Sequence, residues 1–135
     1  MPRVIIVPKS ELSEKELREI APRIAAAESP PEVSPRCFWD LESYEPRYYA
    51  VLEATSRDFM GTVYCRIEPP TAFDIAYWLE ASQRGKGYWR DLADAVADYL
   101  IEQGVTALDL ISFRGSHEGA SRRIADRIAA RLRAL

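Results

Sequence analysis

Apolar positions along the chain switch repeatedly between a two-residue spacing and a spacing of three to four, so strands and helices alternate. Arg3 to Val7 is a β-branched run closed by Pro8, which predicts an opening strand. Ser13 and Glu16 have capping-box spacing, and Leu17, Ile20, Ala21 and Ile24 follow at helical intervals. Pro22 lacks an N–H and crowds the preceding turn, so a kinked helix or two short ones are expected before Ser29-Pro30-Pro31. Pro30 to Pro46 reads as mostly irregular.

Tyr48 to Ala54 and Thr62 to Ile67 are strand-like and joined by the polar Thr55-Ser56-Arg57-Asp58, which predicts an antiparallel hairpin. Beyond Pro69-Pro70, Phe73, Ile75, Tyr77 and Leu79 alternate with Asp74, Ala76 and Trp78, giving a further strand of the same sheet. Trp89, Leu92, Ala93, Val96 and Leu100 form one helical stripe up to Gly104, a natural C-cap. Val105 to Phe113 predicts another strand, and Ser121, Ile124, Ala125, Ile128 and Leu132 the inward face of a last helix. The order β-αα-β-β-β-α-β-α describes an α/β sandwich around a mixed sheet.

A length of 135 residues fits one domain, residues 1–135, and 47% apolar with 29% charged residues is a globular rather than a disordered composition. No long uncharged apolar run appears and the N-terminus is charged early, so a cytoplasmic protein without membrane segments is expected. Cys37 and Cys65 lack C-x-x-C spacing, so two reduced thiols are expected and no metal site. Of the net charge of −3, residues 114–135 carry +4, six arginines against Glu118 and Asp126, which leaves −7 elsewhere. Such an end can meet phosphates or RNA, yet arginines near a helix C-terminus also suit the helix dipole, and the acidic remainder argues against nucleic acid.

The chemistry gathers at Gln83-Arg84-Gly85-Lys86-Gly87-Tyr88, between a predicted strand and a predicted helix. Two glycines let backbone approach a ligand, the helix start offers unpaired N–H groups, and Arg84 and Lys86 add positive charge. Strand, glycine-rich turn and helix in this order make an anion site.

With these residues in place the chain resembles the GNAT acetyltransferase superfamily, most densely from Phe73 to Ala130. Ile75-Ala76-Tyr77-Trp78-Leu79 looks like the family's central strand and Arg84-Gly85-Lys86-Gly87-Tyr88 like its pyrophosphate motif. Ala120-Ser121-Arg122-Arg123-Ile124-Ala125 looks like its final helix, and Y-W-L before R-G-K-G-Y is most similar to the ribosomal-protein-acetylating branch. The resemblance implies a mostly antiparallel sheet flanked by helices and acetyl-CoA as co-substrate, with its pyrophosphate on the amides from Arg84 through Gly85, Lys86, Gly87 and Tyr88 to Trp89. It further implies that Phe73–Leu79 and Val105–Phe113 splay to admit the pantetheine arm near Trp78 and Leu79. Ser121 matches a position near that arm. An amine acceptor would attack the thioester directly, its proton taken by Glu80, with Glu53 and Asp74 as rival bases. A backbone N–H near Leu79 would stabilise the oxyanion, a contribution of about 2.7–4 kcal/mol where it has been measured.

The chain departs from the family's pattern in four places. Trp89 stands where Gly or Ala is usual; it either crowds the pyrophosphate or points inward, and its place on the stripe favours inward. Glu118 and Ala125 replace an Asn and an acidic Tyr of many members, and the sequence stops at Leu135, short of the family's C-terminal hairpin. A sheet edge left bare there predicts a homodimer or partner contact. His117 is expected to be a surface residue. Tyr77, Trp78, Tyr88 and Trp89 would form an aromatic clasp, and Phe38, Trp39, Tyr44, Tyr48 and Tyr49 an acceptor pocket. Two functions follow: an acetyl-CoA-dependent N-acetyltransferase acting on a small-molecule or peptide amine, or a non-catalytic acyl-CoA-binding or interaction module.

Overall fold

A computed structural model describes residues 3–26, 48–108, 114–115 and 118–134. Strand β1 (Val4–Pro8) passes through a 3-10 turn (Lys9–Glu11) into helix α1 (Glu14–Ala25). The capping box forms: Ser13 Oγ accepts from the Glu16 N–H at 3.1 Å, and Glu16 Oε1 from the Ser13 N–H at 2.9 Å. Helix α1 runs past Pro22 in one piece, so the restart expected there does not occur. Pro22 falls in the last turn, where its ring deletes a single rung to the Arg18 carbonyl, and buried Ile20 and Ile24 hold the helix on the sheet.

Strands β2 (Tyr48–Glu53), β3 (Phe59–Glu68) and β4 (Thr71–Leu79) continue from β1 as an antiparallel meander. Helix α2 (Tyr88–Glu102) crosses over to β5 (Ala107–Leu108) and β6 (Arg114–Gly115), which both pair parallel to β4, and α3 (Glu118–Arg133) follows. Of the strand expected over Val105 to Phe113, Ala107 and Leu108 are strand among the described residues. Thr71 pairs with Ala107, 36 positions on, whereas Ala76 pairs with Arg114, 38 positions on, so the ladder slips by two residues between them. Residues 109–113 and the predicted irregular segment Pro30 to Pro46 lie outside the described residues.

Helix α1 covers one face of the sheet, with Leu12, Ile20 and Ile24 packed on Leu52, Phe59 and Trp78. Helices α2 and α3 cover the other, where Leu92, Val96, Leu100, Ile124 and Ile128 meet Tyr49, Val51, Ile75 and Tyr77. Arg127 clasps Asp94 at 2.8 and 3.0 Å and Arg131 reaches Asp98 at 2.5 Å, so these arginines offset the acidic side of α2. The basic C-terminal end is thus in part an internal seam. Strand β3 carries an extra residue, because Val51 pairs with Gly61 but Leu52 with Phe59. Next to this bulge the backbones of β3 and β4 close up: a Cβ on Gly61 would lie 2.0 Å from the Trp78 carbonyl oxygen.

Candidate active site and cofactor cradle

After β4 ends at Leu79, a 3-10 turn (Ala81–Gln83) carries the chain to α2. Gly85 and Gly87 adopt φ of +76° and +78°. Such a conformation costs a residue with a Cβ about 1–2 kcal/mol. Gly87 is the N-cap of α2 and no side chain caps that end, so the first-turn N–H groups and the positive end of the dipole are left for a ligand. The surroundings are open. Among the described residues a Cβ on Gly85 would meet nothing within 4 Å, and one on Gly87 only Arg3 Nη2 at 4.0 Å.

Arg3, which no sequence motif marked, thus belongs to the rim of the cradle. Its guanidinium carbon lies 4.4 Å from the centre of the Tyr88 ring, and Nε and Nη2 bind Asp91 at 3.0 and 2.7 Å. Burial alone would raise the Asp91 carboxyl, but the bonds from Arg3 hold it below its ordinary value. Lys86 is exposed. Trp89 is half-buried against the core, with the guanidinium carbons of Arg90 and Arg123 5.3 and 5.9 Å from its ring. The ring therefore serves the packing of α2 and α3, and Trp89 offers the cradle its N–H.

Arg84 turns away from the cradle to the strand end: its Nε donates to the Leu79 carbonyl at 2.9 Å. The Leu79 side chain is buried on the α2 face. Strand β6 meets β4 only at Ala76 and Tyr77, so among the described residues Trp78 and Leu79 have β3 as their sole strand partner. The edge beyond Tyr77 is where an added extended chain would fit.

On the α1 side of this strand end lies a cleft of about 490 Å³. Its walls are Pro22, Arg23 and Ala26 of α1, Trp78 and Glu80 at the end of β4, and Ala81, Ser82 and Arg84 beyond it. The Glu80 carboxylate is only 15% exposed and binds Arg23 with both oxygens: Nε donates to Oε2 at 2.8 Å, and Nη2 reaches Oε1. Nη2 also donates to the Phe59 carbonyl at 2.9 Å, and the guanidinium carbon lies 5.3 Å from the Phe59 ring centre. Trp78 packs beside that ring at 6.2 Å, and its buried Nε1–H has no hydrogen-bond partner among the described residues. A buried donor left unpaired costs about 1–3 kcal/mol.

Several sequence expectations change with this geometry. Trp78 faces α1 whereas Tyr77 faces α2, as alternation along a strand requires, so the four aromatic residues do not form one clasp. Tyr49, expected in the acceptor pocket, is fully buried on the α2 face and meets Tyr99 edge-on at 4.9 Å. The side chains of Phe38, Trp39, Tyr44 and Tyr48 lie outside those described. Glu53 Oε2 accepts from the Thr55 and Ser56 N–H groups, which hold its carboxyl below the ordinary value; it closes the β2–β3 turn rather than standing free as a base. The side chains of Asp74, Glu118 and Ser121, and all of His117, are outside the described residues. Cys65 is a core thiol: burial pushes it up to about 12, so it carries no thiolate near neutrality. Among the described residues no three acidic, His or Cys side chains cluster as a metal site, and no helix is long and apolar enough to cross a membrane.

Residues 7–131 match the family described as Acetyltransferase (GNAT) domain. The chain therefore belongs to the GNAT acetyltransferase family, and it is an N-acetyltransferase. No match was found among curated proteins. Among solved structures it is similar to the ribosomal-protein-alanine N-acetyltransferase from Brucella melitensis biovar Abortus 2308, with 17% identity and a TM-score of 0.53 over 93% of this chain and 90% of that one. It is also similar to an aminoglycoside acetyltransferase from an uncultured soil metagenomic sample, solved with sisomicin, with 14% identity and a TM-score of 0.46 over 90% and 81% of the two chains. At 17% identity the first likeness establishes the fold.

Proposed function

We propose that the protein transfers the acetyl group of acetyl-CoA to a primary amine on a small molecule or peptide, by direct attack of that amine. The cradle is the observation that carries this reading: two glycines at φ near +77° leave open backbone before a helix start without a side-chain cap. These residues fit a pyrophosphate. The N–H groups from Gly85 to Trp89 would receive it, with Lys86 adding charge, while Arg84 fixes the end of β4 through the Leu79 carbonyl. The pantetheine arm would run along the edge of β4 beyond Tyr77, past Trp78 and Leu79. When bound, acetyl-CoA supplies an activated acyl carbonyl whose thiol, with an ordinary pKa of about 8.5, can leave without a dedicated acid.

Glu80 is the residue for proton removal, since it follows β4 directly and lines the cleft on the acceptor side. Each of its oxygens keeps a further lone pair beside the bond to Arg23, so a water can be received while Arg23 is in place. A homodimer through the outer edges of β5 and β6, and a cytoplasmic location, belong to the same proposal; sedimentation at micromolar concentration reads the first.

Acetyl-CoA should raise the melting temperature by mass action, and amines, peptides and aminoglycosides offered in turn should release CoA thiol. A folded protein with no shift at millimolar acetyl-CoA would end this reading. A shift without thiol release from any of these amines would place the acceptor outside the classes offered.

A further inference from the structure

The groups gathered round the Arg23 guanidinium are those that select an organic cation. A carboxylate grips it from Glu80, a backbone carbonyl accepts from it at Phe59, and the Phe59 ring lies 5.3 Å below it. Glu80, the residue assigned to take the acceptor's proton, and Arg23 both line the 490 Å³ cleft, and Phe59 is buried behind the guanidinium. An acceptor amine near neutral pH arrives as an ammonium ion and needs the same three partners. Arg23 already has them.

We propose that Glu80, the Phe59 carbonyl and the Phe59 ring form the subsite for the acceptor's ammonium group, and that Arg23 holds this place until an acceptor displaces it. The inference rests on the functional reading above and adds to it the chemical class of the acceptor: a primary alkylammonium on a slender chain, matched in reach and charge to an arginine head. Arg23 is suited to leave. Its side chain is 39% exposed, against 15% for Glu80, so water awaits the guanidinium once it swings out. It sits in the last turn of α1, directly after Pro22, where the ladder has already lost the bond to the Arg18 carbonyl. Arg23 is therefore a positioning residue that sets the acceptor's affinity by competing with it.

The test uses n-butylammonium as the probe and follows the Trp78 indole 15N–H resonance, assigned by loss of the signal in Trp78→Phe. Arg23→Gln should bind n-butylammonium more tightly by roughly five-fold, the upper end for a part-exposed ion pair. Arg18→Gln removes the same charge from an exposed site on the same helix and should bind like wild type. Glu80→Gln should bind at least ten-fold more weakly than Arg23→Gln, because a charged partner is gone. In thiol-release assays the gain in Arg23→Gln should appear in the KM for the amine and not in kcat. Equal affinity in wild type and Arg23→Gln, or weaker affinity in Arg23→Gln, overturns the proposal, the second because Arg23 would then be binding the acceptor itself. Acetyl-CoA-induced stabilisation reads the cradle separately: a wild type that shows it while the amine arm fails loses only this inference.

Discussion

The cradle and the cleft lie on either side of the end of β4 and are built in opposite ways. The cradle is a run of consecutive residues, Gly85 to Trp89, whose work is done mainly by backbone through glycine conformation and a helix end, with Lys86 adding charge. The cleft joins Arg23 to Glu80 across 57 positions, and its chemistry is mostly side chain, with the Phe59 carbonyl the one backbone group. A site of contiguous backbone is robust to what surrounds it. A site of distant side chains depends on how α1 docks on the sheet.

The largest effect should come from the cleft's own chemistry. Glu80→Gln keeps the shape and removes the base, so kcat in thiol release should fall by roughly 10²–10⁴-fold. The acetyl-CoA-induced rise in melting temperature should stay, because the cradle does not use this side chain. If both fall together, the two regions are one unit and the contrast between them is wrong.

Gly61→Ala probes the scaffold that both regions share. Its Cβ would lie 2.0 Å from the Trp78 carbonyl oxygen, backbone against backbone, so β3 and β4 must part. A cost of about 3 kcal/mol is expected, at the upper end for overpacking, read as a drop in the denaturation midpoint. Gly87→Val should cost less, about 1–2 kcal/mol for a side chain held at positive φ, but it should abolish stabilisation by acetyl-CoA. The same strain at Gly104, far from the cradle, gives the control: Gly104→Val should destabilise similarly and leave the acetyl-CoA response intact.

The contrast also explains what the sequence could tell. Strand, glycine turn and helix are local signals, and β1, the capped start of α1, the meander and the stripe of α2 all follow from spacing within a few residues. Arg23 and Arg3 carry no such signal, since each is one of many polar residues on its element until the fold sets it beside Glu80 or Gly87. One local rule is overridden by packing: Pro22 predicts a kink or a restart, yet Ile20 and Ile24 keep α1 in one piece. Alternation did set Trp78 opposite Tyr77; only the sheet's two covered faces decide that they cannot share a ligand.

The smallest effect concerns the other end of α1, which fixes how the cleft's wall is docked. Arg57, at a φ of 63° in the β2–β3 turn, donates to Glu16 through Nε at 2.8 Å and Nη2 at 3.1 Å, while Glu16 also caps Ser13. These bonds, Arg57 first and the Ser13 N–H next, hold the Glu16 carboxyl down to about 2, against about 4.3 for an ordinary glutamate. A carboxyl depressed by folding binds fewer protons folded than unfolded, so its contribution is complete above pH 4.3 or so and is lost as pH falls toward 2. Glu16→Gln should therefore lower stability at neutral pH by about 1 kcal/mol, the size of a cap, since Arg57 is 44% exposed and its pairing is screened by water. The difference between wild type and Glu16→Gln, followed by thermal melts, should shrink steadily between pH 4.5 and pH 2. A difference independent of pH would mean that the ion pair contributes nothing and that α1, with Arg23 at its far end, is held on the sheet by apolar packing of Leu17, Ile20 and Ile24.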